Sequence, residues 1–345
     1  MSATATRGAA TRPAPRPTRP TPSRAAPASA TTARAVAFVA AHRSLAEALG
    51  TGLAEHVGDP NGFAAALRVA FVRLADPEYR AGQHRVAPGL GVVHGVRWPL
   101  LTALTRGFRD ASRQDRAPSL LFVADRLFRE SELEARWFAF GLLERTLSAD
   151  AERSWQLLRR GAREAADGIT VDRLAHPYAQ GIAAEAYRWA ELEQLVYSPS
   201  RWERRLVGST IATMTHADRR AGRAPGIVTQ ALPLLRQLMG DAEPDVQKAL
   251  SWAYRSLAPL DQAATAAALR HETEVAVAGA DGHRAWVIRD SLPGLADQAA
   301  ATDLRERLAG IRRRPGASAT SPASTVAARF GDLPHPDRHP EPPLA

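Results

Sequence analysis

The sequence predicts an all-α protein, and three observations carry that prediction. Apolar residues recur at spacings of three and four, as in Leu120, Leu121, Ala124 and Leu127, or Phe138, Leu142 and Leu143. No alternating run of Val, Ile and Thr reads as a strand. Helical stretches of about 10 to 18 residues follow one another through short breaks that carry Pro, Gly or Asp. Helices joined so closely are antiparallel neighbours, and such pairs stack into a HEAT-like α-solenoid. Strict sequence repeats are not visible, so the solenoid rests on helix spacing, and a compact helical bundle is the competing architecture. A solenoid curves, and its concave face is a natural cradle for a long ligand.

The elements follow in order. Residues 1–32 are rich in Ala, Pro, Thr, Ser and Arg and lack the apolar content to fold. The segment is acid-free, as a transit peptide would be, but it has no convincing amphipathic stretch before residue 34. It reads instead as a disordered basic tail able to add non-specific phosphate contacts. The helical-repeat domain is expected over 33–314, with Asp59-Pro60-Asn61-Gly62, Asp76-Pro77 and Gly240-Asp241 as breaks between helices. Residues 315–345 form a second Pro-rich tail, whose His335 and His339 are a loose run rather than a metal site.

Composition narrows the chemistry. There is no cysteine, so disulfides, thiol nucleophiles and cysteine metal sites are excluded. No apolar run reaches the roughly 18 residues of a membrane span. The net charge is +9, and the first acidic residue is Glu47. Arg7, Arg12, Arg16, Arg19, Arg24, Arg34 and Arg43 precede it and supply seven of those nine charges. Any basic surface on the folded part must therefore be a local patch.

Three segments stand out. Of the 45 basic residues only Lys248 is a lysine; arginine carries the rest, as in a GC-rich genome. At about 100° per residue, Val246, Leu250, Ala253 and Leu257 share one side of its helix. Lys248, Trp252 and Arg255 share the other, an indole between two cations that suits a polyanion with flat sugars and bases. The plain alternative is a Trp packed on the next helix beside a solvated lysine.

In Ser198-Pro199-Ser200-Arg201-Trp202-Glu203-Arg204-Arg205, Ser200 and Glu203 form a capping box that starts a helix. Leu206, Val207, Thr210, Ile211 and Met214 face one way, and Trp202, Arg205, Gly208 and Ser209 the other. An arginine among small residues can approach a phosphate backbone closely. Pairing of Arg205 to an acid on a neighbouring helix is the alternative.

In Asp167-Gly168-Ile169-Thr170-Val171-Asp172, the stripe Val171, Leu174, Ala175, Tyr178 and Ile182 is expected in the core. Asp172 lies at its margin, and Pro177 is expected to disturb the helix one turn later. A carboxylate there can be held in a fixed orientation, or simply favour the first turn of the helix.

Other chemistries are weak. Gly89-Leu90-Gly91-Val92-Val93-His94-Gly95 lacks the strand and spacing of a phosphate loop. His271-Glu272 has no second His at metalloprotease spacing, and no Gly-x-Ser-x-Gly elbow occurs. Nothing suggests the desolvated pocket that Lys248 would need as a Schiff-base nucleophile.

Taken in order, the three segments resemble the AlkD-like DNA alkylation repair glycosylases, all-α proteins of HEAT-like repeats. The likeness runs over roughly residues 85–293. It includes Gly95-Val96-Arg97-Trp98-Pro99 and the acidic helix start Glu132-Leu133-Glu134 before Trp137. Its most specific parts are Ser200-Arg201-Trp202-Glu203-Arg204-Arg205 and Val246-Gln247-Lys248-Ala249-Leu250-Ser251-Trp252. The resemblance implies a concave DNA-binding face. It implies Asp172 as the catalytic aspartate, Arg205 as a backbone contact near the lesion, and Trp252 as the ring packed on the lesion's deoxyribose. Lys248, Trp202 and Arg255 join the DNA-binding set. The implied activity is release of positively charged N3- and N7-alkylated purines from double-stranded DNA, without base flipping. No metal or other cofactor is called for. A monomer in the bacterial cytoplasm, associated with the nucleoid, is expected.

One departure bears on catalysis. The family commonly places an aromatic four residues before the aspartate, where this chain has Gly168. Trp189, Trp202 or another ring would have to substitute. The second reading is therefore a non-catalytic HEAT-repeat protein that recognises branched or damaged DNA. The third is a helical scaffold without a nucleic-acid role.

Overall fold

The computed structural model describes residues 30–87, 90–221 and 226–329. Of the expected tails 1–32 and 315–345, residues 1–29 and 330–345 lie outside the described residues. By its contacts the chain divides into Met1–Ala41 and His42–Ala345. Of the first unit, the described part is the opening of helix α1 (Ala30–Leu53), whose residues there are exposed or half-buried.

The second unit is an all-α solenoid. After α1 come α2 (Pro60–Leu74), α3 (Pro77–Val86), α4 (Trp98–Ala111), α5 (Ala117–Leu127) and α6 (Leu133–Thr146). Then follow α7 (Ala151–Glu164), α8 (Gly168–Ala184), the short α9 (Trp189–Leu195), α10 (Arg201–Ala221) and α11 (Gly226–Leu238). The series ends with α12 (Pro244–Leu257), α13 (Gln262–Ala278), α14 (Gly282–Ser291), α15 (Gln298–Arg307) and α16 (Pro322–Ala328). Among the described residues there are no strands, only two isolated bridges, Ala75 with Val96 and Val92 with Glu132.

The aspartates at the breaks start helices for a physical reason. A helix leaves its first N–H groups without partners, and a side-chain oxygen just before it can accept from them. Asp59, Asp76, Asp150, Asp167, Asp261, Asp281 and Asp297 all do so. Pro60 and Pro77 occupy the first helical position, where a missing N–H costs nothing.

Helices α6, α8, α10, α12 and α14 each pack on the next and form one layer, with α10 against α12 the most extensive contact. Helices α11, α13 and α15 pack in succession behind it. Every inner helix of the layer thus has two lateral neighbours. Gly208 shows how tightly they approach: a Cβ there would sit 2.8 Å from the Ala249 carbonyl carbon. Gly208→Val is expected to destabilise the protein by about 1–3 kcal/mol by forcing α10 from α12. Urea unfolding checks this, and an unchanged midpoint would refute the close approach.

Several expectations are corrected. Helix α8 runs unbroken through Pro177, which is buried inside it. Glu203 bonds the Ser198 hydroxyl rather than forming a box with Ser200, whose own N–H donates to Ser198 Oγ at 3.0 Å. The domain does not stop at 314. Thr320 N donates to the Gly240 carbonyl at 2.9 Å, Ser321 is fully buried, and α16 packs on α11. The glycine-containing loop before α4 is tied down by Glu134. That buried carboxylate accepts from the N–H groups of His94, Gly95 and Val96 at 3.0, 2.9 and 3.3 Å. Those donors are not free to cradle a phosphate.

Candidate functional site

The site begins at the start of α8. Asp167 caps the helix by accepting from Thr170 N at 2.8 Å and from its hydroxyl at 2.6 Å. Trp137 of α6 donates to the same hydroxyl at 2.9 Å. This fixes the first turn, so the next residues are aimed. Val171, Leu174, Ala175, Tyr178 and Ile182 are all buried, as the periodicity predicts. Asp172 lies off that stripe, with 36% of its side chain exposed.

Three hydrogen bonds hold the Asp172 carboxylate. Arg205 donates from Nε at 3.1 Å and from Nη2 at 2.7 Å, and Ser209 Oγ donates at 2.8 Å. Both donors come from α10. A two-pronged guanidinium fixes the plane of a carboxylate as well as its position. Arg205 itself is only 10% exposed. Its remaining Nη1 donates to the Asp245 carbonyl of α12 at 2.7 Å. The small residues beside Arg205 let its guanidinium reach both neighbouring helices. Pairing with an acid on the next helix is what the structure has.

The row continues across α12. Lys248 Nζ stands 3.6 Å from the Asp245 carboxylate and is 60% exposed. Val246, Leu250, Ala253 and Leu257 are buried, and Lys248 and the partly exposed Trp252 share the opposite side. Arg255 leaves that cationic group: its Nη1 lies 2.5 Å from the Asp290 carboxylate of α14. Ser251 Oγ donates to the same carboxylate at 2.6 Å. Burial pushes the Asp290 carboxyl upward, but Ser251 and Arg255 outweigh it and hold it below its ordinary value. Trp202 is half-buried at the start of α10, with the Arg201 guanidinium 4.6 Å over its ring.

On the other flank the structure adds a pair that sequence reading missed. Arg173, next to Asp172, places its guanidinium 3.0 Å over the ring of Trp98 at the start of α4. Burial pushes Arg173 down to about 10, and the Tyr79 and Asp172 charges oppose that shift. Trp98 remains 45% exposed. The only sequence signals are adjacency to Asp172 and a tryptophan at a helix start; their meeting is long-range.

Gly168 has a local consequence. A Cβ there would lie 3.2 to 3.4 Å from the Arg205 guanidinium, tighter than ordinary contact. The missing side chain lets Arg205 lie across the turn to reach Asp172. A ring at this position would have to share the space with that guanidinium. The aromatic reaching the Asp172 flank is Trp98, through Arg173.

The structure thus joins Asp172, Arg205, Ser209, Asp245 and Lys248 by direct contact, and sets Trp252 one turn beyond Lys248. No described helix is long and apolar enough to cross a membrane. No curated protein matches the chain. The sequence does match a family model described as DNA alkylation repair enzyme, over residues 67–292. That span runs from α2 to the end of α14 and so takes in every side chain of the row. The chain belongs to the DNA alkylation repair enzyme family.

Proposed function

We propose that the protein binds double-stranded DNA along the α8–α14 layer and acts there as a glycosylase for positively charged N3- and N7-alkylated purines. The observation that carries this reading is Asp172, a carboxylate fixed by Arg205 and Ser209 yet left partly open, and linked through Arg205 and Asp245 to Lys248 on α12. A cationic alkylpurine is already a good leaving group. When its bond to the sugar C1′ breaks, the bonding pair leaves with the base and neutralises it. The sugar becomes positive. A carboxylate already in place stabilises that charge without reorganising, and it orients the water that adds to C1′ and accepts the proton that water gives up. Trp252 offers an indole face to sugar C–H groups and to positive charge. Lys248 anchors a phosphate. Arg205 acts mainly by holding Asp172. One chain supplies all of these groups, so a monomer suffices, and DNA in the bacterial cytoplasm is the proposed setting.

A second reading, duplex binding without base excision, has its own support. The Arg205 pairing neutralises part of the Asp172 charge, and Gly168 stands where the family commonly has an aromatic. Incubation with methylated duplex DNA separates the two. Free 7-methylguanine or 3-methyladenine in solution supports excision; salt-dependent binding with no released base supports the second reading. For either, Lys248→Gln is expected to lower the slope of log affinity against log salt by about one unit. An unchanged slope would remove Lys248 from the interface.

A further inference from the structure

The described chain continues beyond residue 292, where the family match ends, and its last part returns to the same layer. After α15, residues 308–320 run back across the start of α14. Arg289 Nη1 donates to the Leu308 carbonyl at 3.2 Å. Gly282 lets the Arg312 carbonyl lie against it: a Cβ there would sit 2.1 Å from that oxygen. The backbone of this return is thus anchored to the solenoid at both ends, at Leu308 and at Thr320.

The return carries three consecutive arginines, Arg312, Arg313 and Arg314, all exposed. Arg313 lies 4.9 Å over the Trp286 ring of α14 and donates from Nη1 to Gln247 Oε1 of α12 at 2.9 Å. Gln247 directly precedes Lys248. Arg289 and Asp290 follow Trp286 by three and four residues, which puts them on its side of α14. Asp290 is the acid that takes Ser251 and Arg255. The arginine run therefore stands at the far end of the row that begins at Asp172.

This cluster lacks compensation. Among the described residues, none of the three arginines is ion-paired. Burial, and then the charges of Arg312 and Arg313, push the Arg289 guanidinium below its ordinary value. A cavity of about 210 Å³ lined by Gly282, His283, Arg312, Arg314, Ser318 and Thr320 opens beside them. Like charges gathered on an anchored backbone repel, and a polyanion offsets that repulsion.

We propose that the Arg312–Arg314 return is a second duplex-DNA contact, which takes backbone phosphates away from the lesion and lengthens the footprint. It rests on the duplex-binding reading above. Helix α8 and helix α14 are separated by three interhelix steps of roughly 9 Å each. With a rise of about 3.4 Å per base pair, the return meets phosphates roughly eight base pairs from the base at Asp172.

The test compares the full chain with R312Q/R314Q and R312K/R314K on two duplexes carrying a central 7-methylguanine. One has about five base pairs on each side and the other about twelve, so that only the longer reaches the proposed contact. On the longer duplex R312Q/R314Q is expected to lose about two units of salt slope, and R312K/R314K to keep the wild-type slope. On the shorter duplex all three proteins are expected to bind alike. An unchanged slope for R312Q/R314Q on the longer duplex, with Lys248→Gln still lowering it, overturns this contact and leaves duplex binding standing. Equal losses on both duplexes overturn the long-footprint claim. A wild-type chain without salt-dependent binding to either duplex overturns the duplex reading and this inference with it.

Discussion

Asp172→Asn is expected to reduce release of 7-methylguanine from methylated duplex DNA by at least about 10²-fold, down to no detectable product, while duplex binding holds or tightens. The size follows from what the substitution removes. Asn keeps the shape and an oxygen that still accepts from Arg205 or Ser209, but it carries no charge. Removing one well-placed stabiliser of developing charge costs on the order of 3–4 kcal/mol in the barrier. Binding responds in the opposite sense, because Asp172 is a negative charge on the face proposed to meet phosphates. Its loss also leaves the Arg205 charge without an opposing charge on α8 and makes that face more positive. Single-turnover base release and equilibrium binding, measured on the same methylated duplex, check both halves. Parallel losses in release and binding would mean that Asp172 maintains the surface rather than the chemistry. Asp172→Glu keeps the charge but moves it by one methylene. It is expected to fall between wild type and Asp172→Asn in release, as positioning by Arg205 requires.

Much of this site was legible in the sequence because each helix writes its own core stripe. The stripe from Val171 to Ile182 fixes where α8 faces inward and leaves Asp172 at the margin. The stripe from Val246 to Leu257 does the same for α12 and leaves Lys248 and Trp252 outside it. The aspartates at the breaks foretell helix starts because capping is a local interaction. The reading fails where burial is lateral. A helical wheel assumes one buried side, but α10 lies between α8 and α12 and is covered on two. Arg205, Gly208 and Ser209, which a wheel sets away from the core, are buried in those seams. Arg255 turns to Asp290 for the same reason. Trp98 and Arg173 meet through packing that no periodicity encodes. The return after α15 misleads in another way. Its Pro, Gly and Arg content reads as a tail, yet the buried Ser321, the bonds of Thr320 and the packing of α16 give it structure.

Those same anchors lead to the largest expected loss of stability, in Arg284→Met. Arg284 is 5% exposed and lies at the start of α14, under the arginine return. Its Nη1 pairs with the Glu272 carboxylate of α13, its Nε donates to Asp281 at 3.2 Å, and its Nη2 donates to the Met239 carbonyl at 2.9 Å. Glu272 is 2% exposed and Asp281 is 7% exposed. Methionine fills much of the volume but leaves two buried carboxylates, one of which, among the described residues, keeps only Arg236 at 3.7 Å as a cation. Uncompensated buried charge costs about 3–5 kcal/mol, more than the pair itself contributes. Urea unfolding should show that loss for Arg284→Met. The double variant E272M/R284M should recover more than half of it, since Glu272, the more deeply buried of the two stranded carboxylates, leaves with its partner. A single variant within about 1 kcal/mol of wild type would contradict the argument. The same cluster sets a pH dependence. Burial pushes the Asp281 carboxyl up, but its bonds from Thr320 and Arg284 outweigh this and hold it below its ordinary value. A carboxyl depressed in the folded state contributes stability in full above its unfolded value of about 3.9, and that contribution is lost as pH falls through the lower folded value. Acid should therefore loosen the start of α14 below about pH 4, and Asp281→Asn should remove that part of the pH dependence. Thr320 ties the arginine return to Asp281, so its anchoring on the layer should weaken over the same range.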